Sequence, residues 1–353
     1  MSLPTEIKQW VSLQDGLENL SSTTSPMPVP GPYEVLVKIS AVALNYRDTE
    51  VVMGDYNHHK TIGNSPKIVP CSDMCGIIVK SNSPKWKEGD KVLSTFNQTH
   101  TKGQIKEKDM ASGLGLPQQG VLAQYRVFNS EGLVRKPEYL SDEEAATLPI
   151  AAMTAWMAIN GMRNLGQAAG KGEKVLIQGT GGVAVSGLQI AKASGSEVII
   201  TSSSDAKLGM AKKLGADKTI NYKTNPDWEQ EVLKMTDDVG VDIIFETGGA
   251  QTLRKSFECI TFGGLINCIG YLSGKEDVAG DRRTINVLAL KRNVTLKGIL
   301  NGPRERFEEM VKFYEEKKIK PVVDKVFEFG EAKDALKYLF AGGHFGKVVI
   351  KVE

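Results

Sequence analysis

Gly179, Gly181 and Gly182 stand directly behind an apolar run at 175–178 and ahead of a helical pattern at 183–193. Residues of this type at this spacing can hold a phosphate. Gly179 permits a tight turn, and Gly181 lets the backbone approach a pyrophosphate. The helix N-terminus behind them offers unpaired N–H groups to the negative charge. Thr180, Gly182 and Val183 complete the segment that would face such a ligand. The third position of the G-x-G-x-x-G pattern is Ala184, which still allows close helix–strand packing. Gly195 ends the helix, and 197–201 reads as a second strand. A glycine-rich turn is often only a turn. Here the strand before it and the complete right-handed βαβ unit after it favour dinucleotide binding.

The end of the second strand refines the chemistry. An NAD site usually carries an acid there, about 20 residues past the glycines, on the adenine ribose hydroxyls. This chain reads Thr201-Ser202-Ser203-Ser204-Asp205 instead. Asp205 comes late, as a helix cap or first-turn acid. Ser202 and Ser203 can donate hydrogen bonds to a phosphate. Lys207 adds a positive charge, and Tyr222 closes the following strand. Together they make a pocket for a 2′-phosphate, which predicts NADPH over NADH. The same serines also read as plain helix caps, and Lys207 as a solvated surface lysine.

Alternating strands and helices carry these residues. After the βαβ unit come a helix at 226–235, a strand at 241–246 followed by Thr247-Gly248-Gly249, and a helix at 251–259. A strand at 264–269 ends in Gly270. A helix at 286–291 and a strand at 295–300 follow. The pattern predicts a doubly wound parallel Rossmann sheet, an α/β architecture. Such sheets bind ligands beyond the carboxyl ends of their strands. Gly179, Ser202, Gly248, Ile269, Gly270, Tyr271 and Asn301 therefore fall along one crevice. The first 140 or so residues read differently. Strands are expected at 34–44, 68–79, 92–96, 121–128 and 132–135, with a long loop at 97–120, as in a β-barrel-like domain. Ser141 and Glu144 form a capping box that opens a helix over 143–165, broken near Pro149. Beyond 302, a helix at 303–318, strands at 322–329 and 347–351, and a helix at 331–340 are placed to return to the first domain.

Bulk properties exclude several classes. With 44 basic and 42 acidic residues the net charge is +2, so nothing drives the chain toward nucleic acid or acidic membranes. No run reaches the roughly 20 apolar residues of a membrane helix. The first residues lack a signal peptide's apolar core, so a reducing cytosol is the expected compartment. Cys71 and Cys75 have no His or third Cys beside them, and Cys259 and Cys268 read as core thiols. His58 and His59, in a polar loop, read as solvated.

The motifs in order are LNYRD at 44–48, WKEGDKV at 86–92, GVLAQYRVF at 120–128, LPIAAMTAW at 148–156 and GTGGVA at 179–184. GADKTINY at 215–222 and HFGKVVIKV at 344–352 complete the set. On these the chain resembles the medium-chain dehydrogenase/reductase family, in its zinc-independent, quinone-oxidoreductase-like branch. The resemblance covers nearly the whole chain. It implies a GroES-like domain from 1–145 plus 302–353, with the NADPH-binding Rossmann domain at 146–301 inserted. It also implies a homodimer paired through the strand at 295–300, which would cover an unpaired edge.

The resemblance locates a departure as well. The catalytic zinc ligands of the true alcohol dehydrogenases fall here on Asn45, on Cys71-Ser72-Asp73 and near Ile150, which is not a zinc set. No metal is therefore expected, and the chemistry shifts to acceptors that need only hydrogen-bond donors. A conjugated C=C or a quinone takes hydride at an electron-poor carbon while negative charge grows on oxygen. By resemblance, Asn45 and Tyr46 line the cleft near the nicotinamide. Tyr46 would donate to the substrate oxygen and Asn45 would orient it. Thr154, Gly346 and Lys347 are implied near the cofactor on the same basis. The alternatives are a zinc-free carbonyl reductase or alcohol dehydrogenase on the same scaffold, and an NADPH-binding sensor with little turnover.

Overall fold

The computed structural model describes residues 3–56, 66–167, 170–276 and 284–352. His58 and His59 lie outside them. The chain forms two compact units, Met1–Met153 with Asn301–Glu353, and Thr154–Leu300.

The first unit is built on the strand Glu34–Leu44, whose apolar sequence EVLVKISAVAL is buried at nearly every position. A strand apolar on both faces must be covered on both sides. It pairs antiparallel with Asp73–Ser81, with Ala43 opposite Asp73. It also pairs antiparallel with Lys347–Lys351, with Leu44 opposite Val348. This register brings Asn45, Asp73 and Lys347 to one end of the sheet, although they are far apart in sequence. The sheet has seven strands, of which Tyr125–Asn129 pairs off the main path with Glu34–Leu44. Its core gathers Val37, Ile39, Val42, Met74, Phe128, Leu336 and Ile350.

The sequence expectation differs here at several boundaries, and the strand expected at 68–79 runs from Asp73 to Ser81. The strand expected at 121–128 begins only at Tyr125, because the N–H groups of Val121 and Leu122 turn to the carbonyls of Pro70 and Cys71. The loop expected at 97–120 carries one short helix, Glu107–Met110, too brief to show a period. The helix expected at 143–165 with a break near Pro149 is broken there and ends at Asn160. Asp142–Ala146 is capped by Ser141 and Glu144 as the capping box requires, a wider turn covers Leu148–Ala152 around Pro149, and Met153–Asn160 resumes. Proline has no N–H to give a regular helix, which accounts for the break.

The second unit is a six-stranded sheet whose neighbouring strands all run parallel. The order is Lys218–Asn221, Glu197–Ser202, Lys174–Gln178, Val241–Glu246, Ile260–Cys268 and Thr295–Gly298. Leu176, Ile199, Ile244 and Ile266 pack against Trp228, Val232 and Phe257 of the covering helices. Close helix–sheet approach falls at Gly187 in the helix Gly182–Ser194. A Cβ there would meet the Phe245 ring at 2.5 Å. Ala184, the third position of the glycine pattern, is buried three residues earlier in the same helix.

Candidate dinucleotide site and a buried charge cluster

In the second unit the strand Lys174–Gln178 leads into Gly179, which has φ +83° and open space where a Cβ would stand. Gly181 is the N-cap of the 13-residue helix Gly182–Ser194, and no side chain caps it. An uncapped helix start behind an open glycine turn fits a pyrophosphate. Thr180 is buried within the turn, while Gly182 and Val183 begin the helix. At the end of Glu197–Ser202, Ser202 is buried and Ser203 half-buried. Ser204 is the N-cap of the helix Asp205–Lys213 and accepts the Lys207 N–H. The Asp205 carboxylate is taken by Asn221 at 2.7 Å, so this strand end presents hydroxyls rather than a free acid. Tyr222 is exposed and its N–H bonds the Ser202 carbonyl. Gly248, Ile269, Gly270 and Tyr271 lie on the two turns that follow the next strands. Thr154 is buried near the start of the helix Met153–Asn160.

In the first unit, Asn45 and Tyr46 sit where the central strand runs into the helix Tyr46–Met53. The Asn45 N–H donates to the Asp48 carboxylate at 2.8 Å, tying the helix start. The buried Lys347 ammonium donates to Asn45 Oδ1 at 2.6 Å and to the Leu44 carbonyl. Gly346 precedes it at φ +84°. The Asp73 carboxylate accepts the Ser72 hydroxyl at 2.7 Å and the Ile150 N–H at 2.9 Å. Arg47 pairs with Asp48 at 3.3 Å and donates to the Leu114 carbonyl, with its guanidinium over the rings of Tyr56 and Phe96. Asn301 belongs to this first unit, its amide donating to the Pro149 carbonyl at 2.9 Å.

Burial sets the charges of this cluster. It pushes the Asp48 carboxyl up to about 6, against the opposing pull of Arg47. It raises Asp73 despite Lys347, and lowers Lys347 despite Asp73 and Asp48. The Cys71 thiol is raised well above its ordinary value by the same desolvation. Tyr46 is 43% exposed, and its phenol is raised by partial desolvation and then by Glu50 and Asp55. It is a reachable hydroxyl that stays protonated at neutral pH.

These residues do not fit a zinc ion. The three ligand positions hold Asn45, Ser72 and Ile150, and Lys347 already places an ammonium on Asn45. Two carboxylates face two cationic side chains, so the cluster is balanced without a metal. Among the described residues no group of three or more His, Cys, Asp and Glu is arranged to hold one. Nor, among them, is any helix long and apolar enough to cross a membrane.

Comparison with known proteins agrees with this architecture. Residues 31–138 match the alcohol dehydrogenase GroES-like domain and residues 182–316 the zinc-binding dehydrogenase domain. A zinc-type alcohol dehydrogenase-like protein of Schizosaccharomyces pombe is 41% identical over 324 residues, 91% of this chain and 92% of the relative. A 2-methylene-furan-3-one reductase of Solanum lycopersicum is 31% identical over 360 residues, 99% of this chain and 80% of the relative. A solved NAD-dependent alcohol dehydrogenase is 31% identical, with a TM-score of 0.84 over 98% of this chain and all of that one. The chain is thus an NAD(P)H-binding oxidoreductase of the medium-chain dehydrogenase/reductase family, with its GroES-like and Rossmann domains.

Proposed function

We propose that the protein is an NADPH-dependent, zinc-independent reductase of conjugated carbonyl compounds, an α,β-unsaturated ketone or a quinone. The observation that carries this reading is the closed charge cluster of the first unit. Its cations are Lys347 and Arg47, both engaged, and the exposed group at its margin is the Tyr46 hydroxyl. Such a site offers hydrogen-bond donation to a developing enolate or quinol oxygen, not a Lewis acid for an alkoxide. NADPH, when bound, supplies the hydride. Tyr46 donates to the substrate oxygen. Asn45, fixed by Lys347 and by its N–H bond to Asp48, keeps the helix start that carries Tyr46 in place. The tomato relative, by its name, reduces a ring ketone bearing a conjugated methylene, a substrate of this class.

The test is NADPH oxidation by chelator-treated protein with a small quinone and a conjugated enone, the enone product being identified. A saturated ketone or a quinol is the expected product. An alcohol would place the chain among carbonyl reductases, and tight NADPH binding without turnover would point to a sensor.

Cofactor preference rests on Ser202, Ser203, Lys207 and Tyr222. Ser203→Asp, which restores an acid at the strand end, is expected to lower the NADPH-over-NADH ratio of kcat/KM by about tenfold or more, the scale of one charge-assisted hydrogen bond. An unchanged ratio would remove the 2′-phosphate reading. The cytosol is the compartment we propose, all four cysteines being free thiols.

We further propose a homodimer through Thr295–Gly298, the outer strand of the parallel sheet. Phe262, Val287, Leu290, Leu296 and Leu300 are all exposed on or near that edge, Leu290 at 80%. An unpaired edge beside an apolar patch invites pairing with a second copy. Light scattering is expected to give twice the chain mass for the wild type and the single mass for L290E/L296E. A monomeric wild type would refute it.

A further inference from the structure

Glu246 ends the strand Val241–Glu246, and its buried carboxylate is surrounded by donors alone. Oε1 accepts the N–H groups of Gly248 at 3.0 Å and Gly249 at 2.9 Å, and the Thr252 hydroxyl. Oε2 accepts the Gln178 amide at 2.7 Å and the Ser256 hydroxyl. The Glu246 main-chain carbonyl takes the N–H of Ile269 at 2.8 Å and that of Gly270 at 3.3 Å. Gln178, the residue before Gly179, completes the arrangement. Its Oε1 accepts Thr247 N–H at 3.1 Å and Gly248 N–H at 3.2 Å, and its carbonyl accepts the Thr247 hydroxyl. The pair therefore anchors two candidate cofactor turns, at 247–250 and 269–271, and Gln178 stands directly before the third, at 179–182.

The turn at 247–250 has no slack. Gly249 holds φ +87°, and a Cβ on it would meet Tyr271 Cα at 2.8 Å. A Cβ on Gly248 would meet the Thr252 hydroxyl at 2.2 Å. Ser273 donates its N–H and its hydroxyl to the Gly248 carbonyl, both at 2.7 Å, locking the turn to the next one. Position along the sheet says which part of a dinucleotide this affects. The adenosine half belongs with Glu197–Ser202, where the ribose-contacting residues sit. The second mononucleotide half belongs with the strands on the other side of Lys174–Gln178.

We infer that Glu246, oriented by Gln178, is a positioning residue that sets the nicotinamide half of the cofactor site. The inference rests on the NADPH reading above. Glu246 touches no reacting atom. It acts by fixing the backbone of Gly248, Gly249, Ile269 and Gly270. The chemistry of the pair makes a specific demand. All five groups around the carboxylate donate, so an amide nitrogen at this position faces another donor. In E246Q it faces either the backbone N–H groups or the Gln178 amide. Q178E resolves the conflict. The new carboxylate accepts from Thr247, from Gly248 and from the introduced amide, whose oxygen is then free to face Gly248, Gly249 and Thr252.

The experiment titrates NADPH and adenosine 2′,5′-bisphosphate against wild type, E246Q and E246Q/Q178E, with urea unfolding of each. E246Q is expected to weaken NADPH by about tenfold or more while leaving the bisphosphate within about twofold. The double variant is expected to return NADPH to within about threefold of wild type. Equal NADPH affinity in E246Q, equal loss of both ligands, or a folded double variant that recovers nothing would each overturn the inference. If E246Q does not fold, S256A, which removes one donor from the same carboxylate, is expected to weaken NADPH alone by about threefold. No such loss would again overturn it. A wild type that binds the bisphosphate and not NADPH would remove the underlying cofactor reading as well.

Discussion

Lys347→Met is expected to lower the unfolding free energy by about 3–5 kcal/mol at pH 7, the range for removing one partner from a buried ionic cluster. The ammonium donates to Asn45 and the Leu44 carbonyl and faces Asp73 and Asp48. Without it, two buried carboxylates share the single cation of Arg47. The deficit should shrink as the pH falls. Burial raises Asp48 to about 6, above the ordinary carboxyl range, and raises Asp73 as well. A carboxyl whose folded-state value lies above its unfolded value contributes stability that is present below the unfolded value. That contribution is lost as the pH rises through the folded one. Removing the lysine raises both carboxyls further, so the variant gains more than the wild type between pH 7 and pH 5. Urea midpoints at the two pH values measure this. A second substitution, D73N, on top of K347M should recover a large part of the loss, because the paired charges then leave together. Additive losses would mean that Lys347 and Asp73 do not interact.

The largest effect on turnover is expected at Tyr46. Tyr46→Phe removes the exposed hydroxyl and leaves the helix start, which depends on Asn45 and Asp48. If that hydroxyl donates to the substrate oxygen, kcat should fall by about a hundredfold, the lower end for losing one oxyanion donor, since the site is part-solvated. KM for NADPH and the urea midpoint should stay at the wild-type values. A fall of less than about threefold would assign the donation to another group or to water. Arg47→Ala makes a poor comparison, because its guanidinium donates to the carbonyls of Leu114 and Leu116 and covers two rings, so its loss would be felt as unfolding.

The two sites differ in how far the sequence discloses them. The dinucleotide half is largely local. A strand, its glycine turn and the following helix are contiguous, so type and spacing suffice to place Gly179, Gly181 and Ser202. The buried cluster is the opposite case. Asn45, Asp73 and Lys347 meet only because two antiparallel registers end at the same edge, and no local period encodes that register. The family resemblance marks Lys347 in HFGKVVIKV, but its contact with Asn45 emerges only when its strand is laid beside Leu44. Glu246 falls between these cases. An acid closing the apolar run VDIIFE and preceding Thr-Gly-Gly signals converging N–H donors, but its partner Gln178 lies 68 residues away. Helix ends are less legible: the break at Pro149 is written in the sequence, whereas the end at Asn160 rather than 165 is not.

The closing strand of the first unit has a consequence for biosynthesis. Lys347 and Asn45 are 302 residues apart, and the second unit, Thr154–Leu300, is continuous between them. During translation, at about 5–20 residues per second, Asp48 and Asp73 emerge long before the ammonium that neutralises them. The nascent first segment therefore cannot close its charged centre until Lys347 has been made. The inserted unit is free to fold first, and the strand that carries Lys347 completes the first unit afterwards.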